Sequence, residues 1–109
     1  MHSQTWPEKY DINKLVTIPK DIEKLIRGDK TSVRRNDRYA DPSDTVELDG
    51  HTFIVENVYP QKLKDVKEQD AKDEGYQNLQ AYQKAITSIH EAAVWDPEME
   101  VWVHELKMK

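Results

Sequence analysis

The sequence predicts an α+β domain in which a small curved or barrel-like sheet packs against flanking helices. Three observations indicate this fold class. Residues 46–58 have the pattern of a β-hairpin, residues 100–108 alternate β-branched and aromatic side chains, and two segments have the apolar spacing of amphipathic helices. The predicted order of elements is β-α-β-β-β-α-α-β, which favours helices packed on one side of a sheet.

The first two elements lie before the arginine-rich part of the chain. Residues 14–18, KLVTI, predict a short strand. Thr17 and Pro19 then indicate a helix start, because a hydroxyl caps free N–H groups and proline fits the first turn. Gly28 is placed as the C-terminal cap. The helix has apolar residues at i, i+3 and i+4, namely Ile22, Leu25 and Ile26.

The remaining elements follow from turn residues and periodicity. Val46 and Leu48, alternating with Glu47 and Asp49, predict one strand, and residues 52–58 predict the next. Between them Asp49-Gly50 is a dipeptide typical of hairpin turns. Residues 64–74 are polar and compatible with a helix that Gly75 ends. A second helix, broken by Trp95 to Pro97, presents one apolar face made of Leu79, Tyr82, Ile86 and Ile89. EVWVHELKM at the end of the sequence reads as the last strand.

The composition predicts one domain over residues 1–109 and excludes several kinds of chemistry. A chain of 109 residues matches a single core. Because there is no cysteine, disulfides, thiolate metal sites and a cysteine nucleophile are excluded. No segment has the apolar core of a signal peptide or the length of a membrane span, so we expect a cytoplasmic protein that contacts no membrane.

The charge is distributed unevenly. The net charge of −5 argues against binding to long duplex nucleic acid through many phosphates. It leaves a short or local contact with nucleic acid as an alternative. Residues 27–38 contain five basic and two acidic side chains, a net +3, and the rest of the chain carries −8. This basic segment holds all the arginines, whose planar heads suit phosphate or carboxylate. The alternative is a solvated strand that pairs with the acidic surplus.

Four sequence segments resemble the ASCH domains, a family in the PUA-like superfamily of small β-barrels with flanking helices. They occur in the family's order and at its spacing: IEKLIRGDKTSVRR, DPSDTVELDG, DAKDEGY and VWVHEL. The resemblance implies a cleft between barrel and helices that takes RNA or a modified nucleoside. One branch of the family hydrolyses the amide of 4-acetylcytidine with a lysine, a threonine and a glutamate.

Carried over by position, the lysine matches Lys30 and the glutamate matches Glu74. The threonine matches Val33, which offers no nucleophilic oxygen. In an extended strand Thr31 shares a face with Val33 while Ser32 points to the other side, so Thr31 is the candidate substitute hydroxyl. Glu74 ends a predicted helix, where a carboxylate is unfavourable, and a cation such as Lys30 or Arg35 would compensate it.

The candidate ligand contacts lie in and after the basic segment. We expect the arginines to contact an anion. The tyrosines predicted in loops could stack on a base, and the alternative is that they only pack against the protein core. The predicted ligand-binding residues are Arg34, Arg35, Arg38, Tyr39 and Tyr76, and Tyr59 is a further loop tyrosine. The histidines lack the spacing of a metal site, so we expect neither a metal nor a cofactor.

Three functions follow from these observations. The first is a binding domain that holds an RNA segment, a nucleotide or a modified nucleoside in a basic cleft. The second is an amidohydrolase acting on an acetylated cytidine, with Lys30 as base, Thr31 or a water attacking and Glu74 moving the proton. The third is a protein-interaction module. Val33 separates the first two, and the sequence leaves open whether the protein is an enzyme.

Overall fold

A computed structural model describes residues 8–89 and 96–109 of the chain. Three α-helices, two 3-10 turns and four strands are found in these residues. In chain order they are a 3-10 turn Ile12–Lys14, α1 Pro19–Arg27, β1 Ser32–Arg35, β2 Thr45–Leu48, β3 His51–Lys62, a 3-10 turn Leu63–Asp65, α2 Glu68–Asp73, α3 Leu79–Ile89 and β4 Glu100–Met108.

The strands form one curled antiparallel sheet, a half-barrel, in the order β1-β4-β3-β2. The long strand β3 pairs with β2 through its first residues and with β4 along most of its length. A register shift between Val55 and Asn57 leaves Glu56 without a partner in β4, and such a bulge bends a strand. The α+β class with a curved sheet and flanking helices is thereby confirmed.

Two hydrophobic clusters fill the space between sheet and helices. The first joins the sheet to α1 and to the segment before it, and its members include Leu15, Val16, Leu25, Val33, Phe53, Val55 and Trp102. The second joins α2 and α3 to the start of β4 and consists of Leu63, Val66, Ala71, Tyr82 and Val101, with partly buried neighbours. The sheet is therefore covered by helices at two places.

Most elements agree with the sequence prediction. The hairpin turns at Asp49-Gly50, where both residues have positive φ, and β4 covers Glu100–Met108. Gly28 ends α1 with φ +83°, and α3 begins at Leu79. The predicted helix over 64–74 is shorter than expected, since its first residues form a 3-10 turn before α2. The predicted break at Trp95 lies outside the described residues.

The predicted strand over residues 14–18 is wrong. Lys14 closes a 3-10 turn and Leu15 to Ile18 have no regular structure, although Leu15 is 1% exposed. The Arg35 guanidinium donates to the carbonyl oxygens of Lys14 and Leu15 at 2.9 and 2.6 Å. These two carbonyls therefore accept from a side chain and do not pair with a neighbouring strand. The N-cap of α1 is Ile18 without a side-chain bond, so Thr17 does not cap the helix as predicted.

Within the described residues, no helix is long and apolar enough to cross a membrane.

His104 ties β1 to the loop that follows it. Its side chain is fully buried in β4, and its Nε2 accepts from the backbone N–H of Tyr39 at 3.1 Å. The proton of the neutral ring must then be on Nδ1, which donates to the carbonyl oxygen of Val33 at 3.1 Å. Burial lowers the pKa of His104, aided by the nearby Arg35 charge, while its hydrogen bonds and Glu74 act in the opposite direction.

This buried histidine makes stability depend on pH. The unfolded state binds a proton at His104 below the ordinary pKa of 6.5, while the folded state resists it. We therefore expect the contribution of neutral His104 to be complete above pH 6.5 and to be lost as pH falls from there through the lowered folded pKa. Urea unfolding at pH 7.5 and 5.5 measures it. His104→Gln should unfold with a smaller pH dependence than wild type, and an equal dependence would contradict the assignment.

Candidate functional site

A buried polar cluster centres on the Glu74 carboxylate. Lys30 Nζ donates to Glu74 Oε1 at 3.1 Å and to the Glu74 carbonyl oxygen at 3.0 Å. The other carboxylate oxygen, Oε2, accepts from the Ser32 hydroxyl at 2.8 Å and from Arg34 at 2.9 Å. The side chains of Lys30 and Glu74 are 6% and 5% exposed. A carboxylate is thus held between two cations and a hydroxyl with little access to water.

The backbone around two glycines brings Lys30 and Glu74 together. Gly28 turns the chain out of α1 in a left-handed conformation, and two residues later Lys30 points towards the end of α2. Gly75 follows Glu74 with φ +89°, and a Cβ there would lie 3.1 Å from Lys24 Cδ. Lys24 Nζ also donates to the Gly75 carbonyl at 3.1 Å. Helix α1 therefore packs directly on the turn that carries Glu74.

Arg34 braces the cluster from the other side. Its Nε donates to Gln61 of β3 at 3.0 Å, and its terminal nitrogens reach Glu74 at 2.9 Å and Asp70 at 3.5 Å. Asp70 and Glu74 are four residues apart, so they lie on the same side of the α2 end. One guanidinium, with a side chain only 2% exposed, therefore links β1, β3 and α2.

The cluster forms the polar end of a cavity of about 350 Å³. Lys30, Arg34 and Glu74 lie at this end, and the segment before α1 forms one wall. The remaining lining is mostly apolar and includes Leu63, Tyr82, Ile86, Met99 and Val101. Tyr76 also lines the cavity and meets Tyr82 edge to face at 5.5 Å. Burial raises the pKa of both tyrosines, so their hydroxyls stay protonated at neutral pH.

Arg35 holds the wall of the cavity that precedes α1. Besides its bonds to the carbonyls of Lys14 and Leu15, it donates to the Tyr39 hydroxyl at 3.1 Å and stacks over the Tyr39 ring at 4.5 Å. The wall itself consists of Leu15, Val16, Thr17 and Ile18. Since these residues have no regular structure, the Arg35 bonds and the burial of Leu15 and Val16 in the first hydrophobic cluster together fix their position against the sheet.

Solved structures of known proteins share this architecture. An ASCH domain from Lactobacillus crispatus JV V101 aligns with 82% of this chain and 70% of its own, at TM-score 0.65 and 16% identity. A protein from Enterococcus faecalis V583, given as DUF984, aligns with 81% of this chain and 66% of its own, at TM-score 0.56 and 14% identity. The chain has an ASCH-like fold. No family model and no curated protein matches the sequence.

The ASCH-like fold brings together five of the predicted site residues. Lys30, Arg34, Arg35, Glu74 and Tyr76 all line the cavity. The expected compensation of Glu74 by Lys30 is present, while the second cation beside the carboxylate is Arg34 and not Arg35.

Three other predicted residues lie away from the cavity lining. Arg38 pairs with Asp41, and Tyr39 is buried beneath Arg35. Thr31 is exposed and lies on a second, smaller pocket of about 220 Å³, whose lining includes four carboxylates. The hydroxyl that reaches Glu74 belongs to Ser32, since Ser32 and Arg34 share the face of β1 that meets α2.

The contacts of Ser32, Asp70 and Gln61 were not foreseen from the sequence. Alternation along SVRR could have indicated that Ser32 and Arg34 share a face, and Asp70 could have been grouped with Glu74 by helical spacing. No local signal indicates Gln61, because it comes from the far end of β3.

Within residues 8–89 and 96–109 there is no group of three or more histidines or carboxylates placed to hold a metal ion.

The buried pair predicts a large and coupled effect on stability. Removing Glu74 leaves the Lys30 ammonium buried without its carboxylate, and removing Lys30 leaves the carboxylate with Arg34 and Ser32 alone. Lys30→Met should therefore lower the free energy of unfolding by about 3 kcal/mol. The double variant Lys30→Met/Glu74→Gln should lose clearly less than the sum of the two single variants. Urea unfolding measures both. The exposed pair Lys62–Glu98 is the matched control, where Lys62→Met should change little. Additive losses at Lys30 and Glu74 would contradict a buried pair.

Proposed function

We propose that the cavity binds a nucleoside, either free or as one unit of an RNA strand, with the base at the end formed by Lys30 and Glu74. The observation that carries this proposal is the buried Lys30–Glu74 pair on the wall of an otherwise mostly apolar cavity. A few convergent polar groups in a concave apolar site are typical of sites for small organic ligands. The ASCH-like fold agrees with such a role.

The size of the cavity supports a ligand of this kind. Its volume of about 350 Å³ falls at the lower end of the range for small-molecule sites. Such a space accepts one ring system with a sugar, and it is too small for a folded peptide or a duplex. The apolar walls suit the faces of a planar ring, while the polar end suits its edge.

The polar end has remaining hydrogen-bonding capacity. An ammonium has three donors, and among the described residues Lys30 Nζ uses two of them on Glu74. A carboxylate has about four acceptor positions. Among the described residues, Oε1 of Glu74 accepts one hydrogen bond and Oε2 accepts two. One donor and one acceptor thus stand side by side, which is what the hydrogen-bonding edge of a base requires.

The partners of the arginines support a single nucleoside over an extended RNA track. Arg27 pairs with Glu23 and Asp29, and Arg38 pairs with Asp41. Much of the positive charge of the basic segment is therefore balanced inside the molecule. Binding that depends on few phosphate contacts has a shallow dependence on salt.

Tyr76 provides the test of ligand binding. The experiment titrates labelled protein with uridine, cytidine, 4-acetylcytidine and short single-stranded RNAs, and follows amide shifts along the cavity. Because a tyrosine ring stacks on a base with a free energy of about 1 to 3 kcal/mol, Tyr76→Leu should weaken the best ligand roughly tenfold or more. Tyr59→Leu, whose hydroxyl meets Glu105 away from the cavity lining, should bind as wild type does. Equal effects of the two variants, or no shifts with any ligand, would overturn the proposal.

A second candidate function is hydrolysis of an acetylated cytidine. The observation that raises it is the position of Val33, which lines the same cavity as Lys30 and Glu74, although valine itself supplies no nucleophile. In the ASCH family this position corresponds to the threonine of the hydrolase branch, as the sequence resemblance implies. Valine has the shape of threonine without its oxygen, so the cavity keeps its form while lacking that hydroxyl.

The Val33→Thr variant distinguishes binding from hydrolysis. Wild type should bind 4-acetylcytidine without efficient turnover, and Val33→Thr should gain deacetylation that is lost again in Lys30→Ala. A buried hydroxyl without a partner would cost roughly 1 to 3 kcal/mol of stability. Chromatography of the nucleosides after incubation measures the reaction. Efficient turnover by wild type that survives Thr31→Ala would show that a directly activated water is the nucleophile and would favour the enzyme.

A further inference from the structure

The cavity lies against the edge of β1 and not against one face of the sheet. It contacts four consecutive residues, 33–36, together with Lys30. In an extended strand, successive side chains point to opposite faces. Because the cavity touches three neighbouring residues of β1, Val33 to Arg35, it reaches both faces of the strand and therefore its edge, where the main chain is accessible.

β1 is an outer strand of the sheet. In the order β1-β4-β3-β2 its one neighbour is β4, and no other described strand pairs with it. The outer edge of such a strand presents main-chain N–H and C=O groups that a further strand, or a ligand, can use.

The register shows which residues of β1 face outwards. On the β3 side of β4, Met99 accepts from Leu63 at 2.9 Å, so odd-numbered residues of β4 face β3. On the other side Leu106 donates to Thr31 at 2.9 Å, so even-numbered residues face β1. Arg34 is opposite Val103, an odd-numbered residue. The N–H and C=O of Arg34 consequently point away from β4, towards the open edge.

The exposure of Arg34 agrees with this orientation. The residue as a whole is half-buried, yet its side chain is only 2% exposed. Most of the accessible surface of Arg34 must then belong to its main chain. The guanidinium is occupied with Glu74, Gln61 and Asp70, so it holds the strand in place while the main chain meets the cavity.

We infer that the main-chain N–H and C=O of Arg34 together bind one side of a planar ligand through two hydrogen bonds. The matching ligand has a donor and an acceptor next to each other, either a ring N–H beside a carbonyl or a ring nitrogen beside an amino group. In an extended residue the two main-chain groups lie side by side and point the same way, as the two partner groups on such a ligand do. This inference rests on the proposed nucleoside site and names the part of the ligand that is read there.

The geometry favours a small planar ligand over an added peptide strand at this edge. A strand that pairs with β1 would have to extend past both ends of the four-residue strand. The apolar side chains that line the cavity include Ile18, Ile86 and Met99. A single ring fits between these residues, with its edge towards Arg34 and its faces on apolar side chains.

Amide hydrogen exchange tests the edge first in the free protein. The N–H of Arg34 should exchange roughly tenfold or more faster than those of Val33 and Arg35, which are bonded to β4. Uridine should then slow exchange at Arg34 and shift its amide resonance, whereas 3-methyluridine, whose ring N–H is blocked, should bind about tenfold more weakly. Slow exchange at Arg34 in the free protein overturns the inference. So does uridine binding that shifts Tyr76 and Val101 while Arg34 is unaffected.

A matched pair of variants isolates the main-chain donor. Arg34→Ala and Arg34→Pro both remove the guanidinium, and only the second removes the N–H. Proline is tolerated on the outward side of an edge strand. Uridine should bind Arg34→Pro roughly tenfold more weakly than Arg34→Ala, the effect of one hydrogen bond. Equal affinities contradict the inference. If Arg34→Pro fails to fold, the exchange measurement on wild type decides.

A further ligand distinguishes failure of the nucleoside proposal from failure of the inference about the Arg34 main chain. If no nucleoside shifts any cavity resonance, the nucleoside proposal fails, and 2-pyridone then tests the edge alone because it is a bare ring with adjacent N–H and C=O groups. Slower exchange at Arg34 in the presence of 2-pyridone supports main-chain recognition. Unchanged exchange at saturating 2-pyridone overturns it.

Discussion

The burial of the Glu74 carboxylate is the constraint on which the surroundings of the site depend. A carboxylate at the carboxyl end of α2 is opposed by the helix dipole, and removal from water adds a further cost of several kcal/mol. Lys30, Arg34 and Ser32 offset this cost by donating to both oxygens. Because each donor comes from the stretch that leaves α1 and enters β1, one carboxylate fixes the position of α2 relative to the first half of the chain.

The same constraint explains how the cavity is held open. Arg34 joins β1 to α2 and β3, while Arg35, the next residue, faces the other way and joins β1 to the segment before α1. The two arginines therefore brace opposite sides of one space. The segment before α1 is irregular and α2 is a helix of only six residues, so each guanidinium adds a contact to an element with few backbone hydrogen bonds of its own. The shape of the site thus depends on guanidinium contacts.

Elements with local sequence signals were predicted correctly, whereas features that depend on contacts between residues far apart in the chain were not. The hairpin and β4 were predictable because alternation and Asp49-Gly50 are local signals. The strand over 14–18 was wrong because its carbonyls bind Arg35, some twenty residues away. The Lys30–Glu74 pair came from a family resemblance, and the choice of Ser32 over Thr31 required knowing which face of β1 meets α2. Spacing along the chain cannot supply that information, because it depends on how the helix packs.

The role of the basic segment changes once its partners are known. A cluster of arginines in an acidic chain suggests an anion site, yet Arg27, Arg34 and Arg38 pair with carboxylates of the same molecule. Arg35 binds carbonyl oxygens. The cluster therefore stabilises the arrangement of loops and short elements. In the function we propose, selectivity comes from the shape of the cavity and from the few polar groups with unused capacity. Those groups are Lys30, Glu74 and the main chain of β1, and they suit a small, planar and nearly neutral ligand.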